Sequence, residues 1–518
     1  MKTWEGRFAF ARLGDMVAAK PAFVRSSPGT AAKPDCDHDG GARIRGGTRE
    51  VATGVQRFRS ARVCGASLAA LLAVLPASAA AVCPEWVRSY VYECKGDVRH
   101  GASFSWPYHD SLSFLDLTHD IDPASGHNGI KLHSYAHDGA HGRIGYFQFL
   151  PLSEAGWHPT TSGAAGHTHS GSSIRFDGGS HGVHTVDAIG IIGQGIAGHG
   201  GRGGDAAFHL TFVSNGGHGG AGGEGIDFEV KAISGSVGTR GSYAHGIYAE
   251  TKGGAGGAGG NAGDFYAHGG NGGVGGAGGM ASVENSVSVV TSGAHAYGIY
   301  AVGYGGNGGK GGDAGGAGAL GGKGGNGGAG GGVSITNSAD VATSGDFARG
   351  LVAASYAGTG GHGGNAGGAG AVGGDGGVGG KGGNVDISNF AGIATSGADA
   401  SALVAVSEGG LGGNGGAGGG VVGVGGGGSG AGSGGKVTEI NSGNIQTSGD
   451  LSVGMSALSV GGGGGAGAGA GGVVSVGGKG AYSGNGGEIV ARNSGGISTA
   501  GSRAAGIYLF SIGGGGGA

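Results

Sequence analysis

From residue 237 onward the apolar positions of the chain fall into short clusters separated by long glycine-rich stretches, and the clusters recur. Pairs of apolar residues two apart appear at Ile247 and Ala249, Ile299 and Ala301, Leu351 and Ala353, Leu403 and Ala405, Met455 and Ala457, and Ile507 and Leu509. A period of two on a short segment predicts a β-strand with one buried face. The surrounding words repeat as well: TRGSYAHGIYAE begins at 239, TSGAHAYGIYAV at 291, TSGDFARGLVAA at 343, TSGADASALVAV at 395, TSGDLSVGMSAL at 447 and TAGSRAAGIYLF at 499, a constant step of 52 residues. A second apolar column precedes them (Val237, Val289, Val341, Ile393, Ile445, Ile497), and a column of Asn285, Asn337, Asn389, Asn441 and Asn493 precedes that. The residues between these positions differ freely, so the spacing reflects a structural register.

One such unit cannot fold alone. Burying three aliphatic side chains stabilises by about 5–9 kcal/mol, whereas ordering some 25 residues costs on the order of 1 kcal/mol or more for each. Stacking makes up the deficit, because each rung pairs its backbone with its neighbours and equivalent side chains form continuous columns. The expected fold is therefore all-β, a right-handed parallel β-solenoid with glycine-rich excursions and an irregular N-terminus. Two local expectations follow. The asparagines are read first as Asn-Ser or Asn-Gly turns, with an amide ladder along the axis as the alternative. Gly293, Gly345, Gly397 and Gly449, after Thr-Ser, are read as corners that need positive φ.

The glycine stretches carry a different period. GGNGGKGG (305–312) and GGDGGVGGKGG (373–383) repeat every third residue, which cannot hold one face inward on a pleated strand. It suits an extended helix of three residues per turn, in which glycine lets backbones approach closely. A flexible surface loop is the alternative.

Composition narrows the class. Of 518 residues, 143 are glycine and only 12% are charged, against about a quarter in an ordinary soluble domain. Nine prolines and no strict G-X-Y register set collagen aside. A formal charge of -4 gives no footprint for nucleic acid. Arg57, Arg59 and Arg62 precede the apolar run VCGASLAALLAVL (63–75) and then small residues, the pattern of a secretory signal peptide cleaved after Ala79 or Ala81. The run is too short to span a bilayer. Three regions result: 1–81 as extended N-region and signal peptide, 82–185 as an N-terminal cap, and 186–518 as the repeat solenoid, which stops in mid-repeat and reads as truncated. Cys83 and Cys94 survive such a cleavage in an oxidising compartment and form the candidate disulfide.

Motifs of chemistry are sparse. His167, His169, His181 and His184 form two close pairs and are weak candidates for a zinc or copper site. GGSHG (178–182) matches the nucleophile pattern G-x-S-x-G but lacks the helix that must follow it. Asp116, Asp120 and Asp122 are read as a solvated polar cluster. No catalytic residue and no cofactor is assigned, and the expected function is not enzymatic.

INSGNIQTSGDLSVGMSAL (440–458) and RNSGGISTAGSRAAGIYLF (492–510), followed by GGxGG tracts, resemble the passenger domains of bacterial autotransporters over about 186–518. The resemblance implies export, display at the outer membrane or cell surface as a structural or adhesive stalk, and an outer-membrane β-barrel translocator as partner. That barrel is missing from this sequence. A host or neighbouring-cell surface is the implied target. The alternatives are a glycine-rich secreted repeat protein of another type, or a secreted enzyme or metal-binding protein with its site in 100–185.

Overall fold

The computed structural model describes residues 119–143, 161–168, 171–206 and 212–518, together with the backbone of six strands between 85 and 158. The signal region 1–81, Cys83 and His169 lie outside the described residues. All that is described belongs to one compact unit, Pro76–Ala518, and it holds strands and no helix.

Each repeat is one coil of a parallel β-solenoid. The coil from 333 to 384 shows the plan: strand Val333–Asn337, a tight link, strand Val341–Ser344, a corner, then strand Leu351–Tyr356. Every residue of the last strand pairs with its equivalent 52 positions on, Leu351 with Leu403 and Ala353 with Ala405, and Ile299 sits on Leu351 in the same way. The ladder through Ile299, Leu351, Leu403 and Met455 is fully buried, with the alanine column beside it. Facing it are the columns of Val283, Ile335 and Ile387 and of Val289, Val341 and Ile393. A β-branched or γ-branched side chain repeated in register fills the interior with no gap between rungs.

Polar columns hold the coil's bends. The asparagines form a ladder: Asn285 Nδ2 donates to Asn337 Oδ1, Asn337 to Asn389, Asn389 to Asn441 and Asn441 to Asn493, each at 2.7 Å. The second hydrogen of each amide goes to the carbonyl two residues on, at 2.8–2.9 Å. The preference for a turn alone is thus corrected, since one amide closes the bend and ties it to the next rung. At the corner, Thr291 Oγ1 donates to the Ala296 carbonyl at 2.7 Å, and Thr239, Thr343, Thr395 and Thr447 repeat the bond.

The corner glycines also need correction. Gly293 and Gly345 have φ of 137° and 134°, but Gly397 and Gly449 are not positive. The left-handed residue shared by every corner lies two places later, at Tyr243, His295, Phe347, Asp399, Leu451 and Arg503, with φ of 53–60°. Glycine is retained because a Cβ on Gly397 or Gly449 would land on the glycine carbonyl one rung back.

The glycine tracts are ordered, which decides between the extended helix and the loop. Leaving the third strand, 305–312 runs outward and 321–332 runs back. Gly308 N donates to the Thr359 carbonyl of the next repeat at 2.8 Å, while Gly309 N donates across to Gly273 at 2.8 Å. The returning tract does the same, Gly324 N to Asp375 at 2.9 Å and Gly325 N to Gly309 at 2.8 Å. Two columns of three-per-turn helices therefore pack as a slab, with two glycines of each triplet turned inward and the third residue outward. The outward N–H is not left to water alone. Asn307 Oδ1 accepts it from Thr359, Asp313 from Asn365, His362 Nδ1 from Asn414 and Asn326 from Val378, at 2.7–3.1 Å. Serines weld slab to solenoid: Ser407 Oγ donates to the Gly383 carbonyl and accepts from Gly435 N, both at 2.8 Å.

At the slab's outer tip the chain reverses through short strands that form a third parallel ladder, for example Tyr266–His268, Gly318–Leu320 and Ala366–Val372. Its inner face packs a column of alanines, among them Ala267, Ala319 and Ala371.

The region 82–185, expected to cap the array, contributes strands to the same ladders. Val91–Gly96, Ser111–Leu117 and Ser172–Val186 extend the first ladder in parallel, and Ala102–Trp106 and Ile130–Tyr135 extend the ladder of Ile247. These are early coils of the same solenoid. Glu85–Arg88 runs antiparallel on Val91–Gly96, where it covers the edge of that ladder, and Tyr146–Gln148 and Gly156–His158 form a separate antiparallel pair.

Candidate functional surfaces

Two of the sequence candidates, His181 and His184, meet in one exposed patch. Ile121 bridges to Val183, which brings Asp120 alongside the strand carrying His181 and His184. Asp120 Oδ1 accepts from Gly182 N at 2.8 Å and lies 3.5 Å from His181 Nδ1, while its Oδ2 lies 3.8 Å from His184 Nε2. The Gly182 N–H above all holds the Asp120 carboxyl below the usual carboxylate range, against the opposing effect of burial and with further help from the His184 and His181 imidazoles. The sequence reading found both histidines but missed Asp120 as their partner, since 61 residues separate it from His181.

His167 lies on a different stretch, where its backbone N–H donates to the His137 carbonyl at 3.0 Å. Among the described residues no three His, Cys, Asp or Glu side chains are grouped so as to hold a metal ion. The patch is a local polar network joining two coils. Ser180 of GGSHG lies within the long strand Ser172–Val186, next to Gly179 at φ 64°, and no helix follows. Cys94 lies on Val91–Gly96, whereas its proposed partner Cys83 is outside the described residues.

Aromatic side chains supply the other concentrated chemistry. At the corner, Tyr243, His295 and Phe347 stack face to face along the axis, with centroids 4.8 and 4.7 Å apart and planes within 4°. Two residues on, His245 stacks on Tyr297 at 4.8 Å and Arg349 covers the far side of that ring at 5.8 Å. Burial depresses the His245 pKa to about 3, with a lesser push from His295. Its Nδ1 accepts from Tyr297 N at 3.0 Å, so the proton of the neutral ring sits on Nε2. Burial likewise raises the phenol of Tyr304 to about 12. These rings pack edge to face or rung on rung. They are cross-rung glue of the kind expected for aromatic pairs.

Compared with known proteins, the chain matches no family model, no curated protein and no solved structure. Its function is therefore read from the fold and its surfaces.

Proposed function

We propose that this chain is an exported, surface-displayed rod of the autotransporter-passenger type, working as a non-enzymatic structural or adhesive stalk. The observation that carries the reading is the uninterrupted 52-residue register, in which every ladder joins each coil to the next from Ile247 to Ile512. Such a stack resists bending and proteolysis because every backbone group in the ladders is paired, and it offers the same side-chain position at every rung. The absence of cysteine from Lys95 to the end suits passage through a pore in an unfolded state, because no disulfide locks a partly folded coil. An outer-membrane β-barrel is the translocator that this reading requires, and a host or neighbouring cell is the surface contacted.

The test is immunolabelling of intact source cells with antibody to the repeat region, followed by external protease. Label on intact cells, lost to prolonged external digestion and recovered in the outer-membrane fraction, supports the reading. A cytosolic, protease-protected pool refutes display. For the adhesive role, beads coated with the full chain are expected to bind neighbouring or host cells; beads that bind no better than albumin-coated ones remove adhesion and leave a spacer.

A further inference from the structure

The ladder at the tip of the slab is one-sided. Its alanines face inward, but its outer face carries large apolar residues exposed to solvent: Phe212 at 59%, Phe265 at 51%, Tyr266 at 52%, Leu320 at 42%, Val421 at 58% and Val473 at 87%. Val213, Val372, Val422, Val474 and Val476 are exposed beside them. The pairing of Val213 with Tyr266, Tyr266 with Gly318, Gly318 with Gly370, Gly370 with Val422 and Val422 with Val474 sets these residues in files running through six successive rungs. Together they expose on the order of 1,000 Å² of apolar surface, above the few hundred Å² of the largest patch on a typical monomer and near the ~800 Å² that each partner gives to a standard interface.

We propose that this tip ridge is a lateral dimerisation surface whose partner is the ridge of a second copy of this chain. Two features select a second copy. The side chains of the ridge recur at the spacing of parallel strands, about 4.8 Å, so a partner that engages its full length needs the same rise. Its bulk is also graded. The rings of Phe212, Phe265 and Tyr266 occupy one end, the valines at 421, 422, 473, 474 and 476 the other, and Leu320 and Val372 stand between them. A two-fold that reverses one rod against the other sets each ring end on the partner's valine end, matching large against small, in the self-complementary manner of a two-fold interface. This inference concerns the chain itself and stands or falls independently of display at a cell surface.

Sedimentation velocity of the full chain tests it, with the double variant Val421→Lys, Val473→Lys on the ridge. Leu411→Lys on the outer face of the slab and Leu509→Lys on the last coil serve as controls. The wild type is expected to dimerise, and the ridge variant to associate at least about tenfold more weakly with an unchanged circular-dichroism melt. Both controls should dimerise like the wild type. A wild type that stays monomeric up to about 100 μM, a ridge variant that dimerises normally, or a dimer abolished only by Leu509→Lys overturns the proposal. Binding of monomeric wild type to phosphatidylcholine vesicles, lost in the ridge variant, overturns it too, because the ridge then serves a lipid surface.

Discussion

Glu439 occupies a position that its neighbours reserve for aliphatic side chains. Val230, Val283, Ile335 and Ile387 precede it in the same file and Ala491 follows, and each is its neighbour's pairing partner. It is 0% exposed and neither carboxyl oxygen has a hydrogen-bond partner. Burial raises its pKa from 4.5 to about 8, and the backbone of Ala405 offsets this only in part. In the folded chain the acid therefore keeps its proton up to about pH 8, while the unfolded chain releases it near pH 4.5. Stability consequently falls as pH rises through that window. Each pH unit costs about 1.4 kcal/mol, so the penalty is on the order of 3 kcal/mol at pH 7 and about 5 kcal/mol above pH 8. The coils on either side of Glu439 bear this cost, because each coil of a solenoid contacts only its neighbours. Hydrogen exchange of Val437–Asn441 and Met455–Val460, corrected for intrinsic rates, should show protection declining from pH 5 to pH 8. Glu439→Ile restores the file and should make protection independent of pH in this window and higher at pH 7 by the same ~3 kcal/mol. A Glu439→Ile variant with the wild-type pH slope, or with no gain at pH 7, refutes the reasoning.

Acid acts on the other end of the array. His245 is neutral in the fold down to about pH 3, so stability should fall as pH drops below 6.5, and His245→Phe should flatten that limb of a urea-midpoint profile. Asn389→Ala removes one step of the ladder and strands the amides of Asn337 and Asn441, with an expected loss of about 2–4 kcal/mol in chemical denaturation. Gly309→Ala drives a Cβ onto the Gly257 carbonyl inside the slab and should lower the melting temperature by several degrees, whereas Lys310→Ala, one residue on and facing out, should melt within about a degree of wild type.

The legible part of the fold was whatever must repeat to stay in register. Ile299, Leu351 and Leu403 align because each packs on the next, so their spacing shows in the sequence and predicted the interior file that the structure contains. Earlier coils were hidden by unequal steps. Tyr92 pairs with Leu112, Leu112 with Ile174, Ile174 with Val230 and Val230 with Val283, separations of 20, 62, 56 and 53 residues, before Val283 with Ile335 at 52 brings the regular count. With coil length varying, no period was visible and the region read as a cap. The slab was hidden for another reason: a GGx triplet shows that close approach is permitted but not which backbone approaches. The ridge stayed unread because its files mix Phe, Gly and Val, and Glu439 because a charge in an apolar file breaks the very pattern used to find the file. Asp120 joined His181 and His184 only through the coil's path.

The slab also dictates how such a chain can change length. Its helices advance three residues per turn, about 9 Å, and each outward tract is bonded to a returning tract beside it. Adding one residue to a tract would rotate its inward glycines onto the outside and thrust side chains between backbones. A viable insertion is a whole triplet in each arm, six residues together, and a coil so widened would overhang neighbours that kept the old size. Insertions and deletions are therefore expected to come in matched sets across successive coils, or to gather outside the tracts. Outside the tracts the step does vary: it changes from 56 to 53 at the tip, between the pairs Ala206–Ala262 and Val213–Tyr266, and from 53 to 52 in the link between Ala232–Asn285 and Ser236–Ser288.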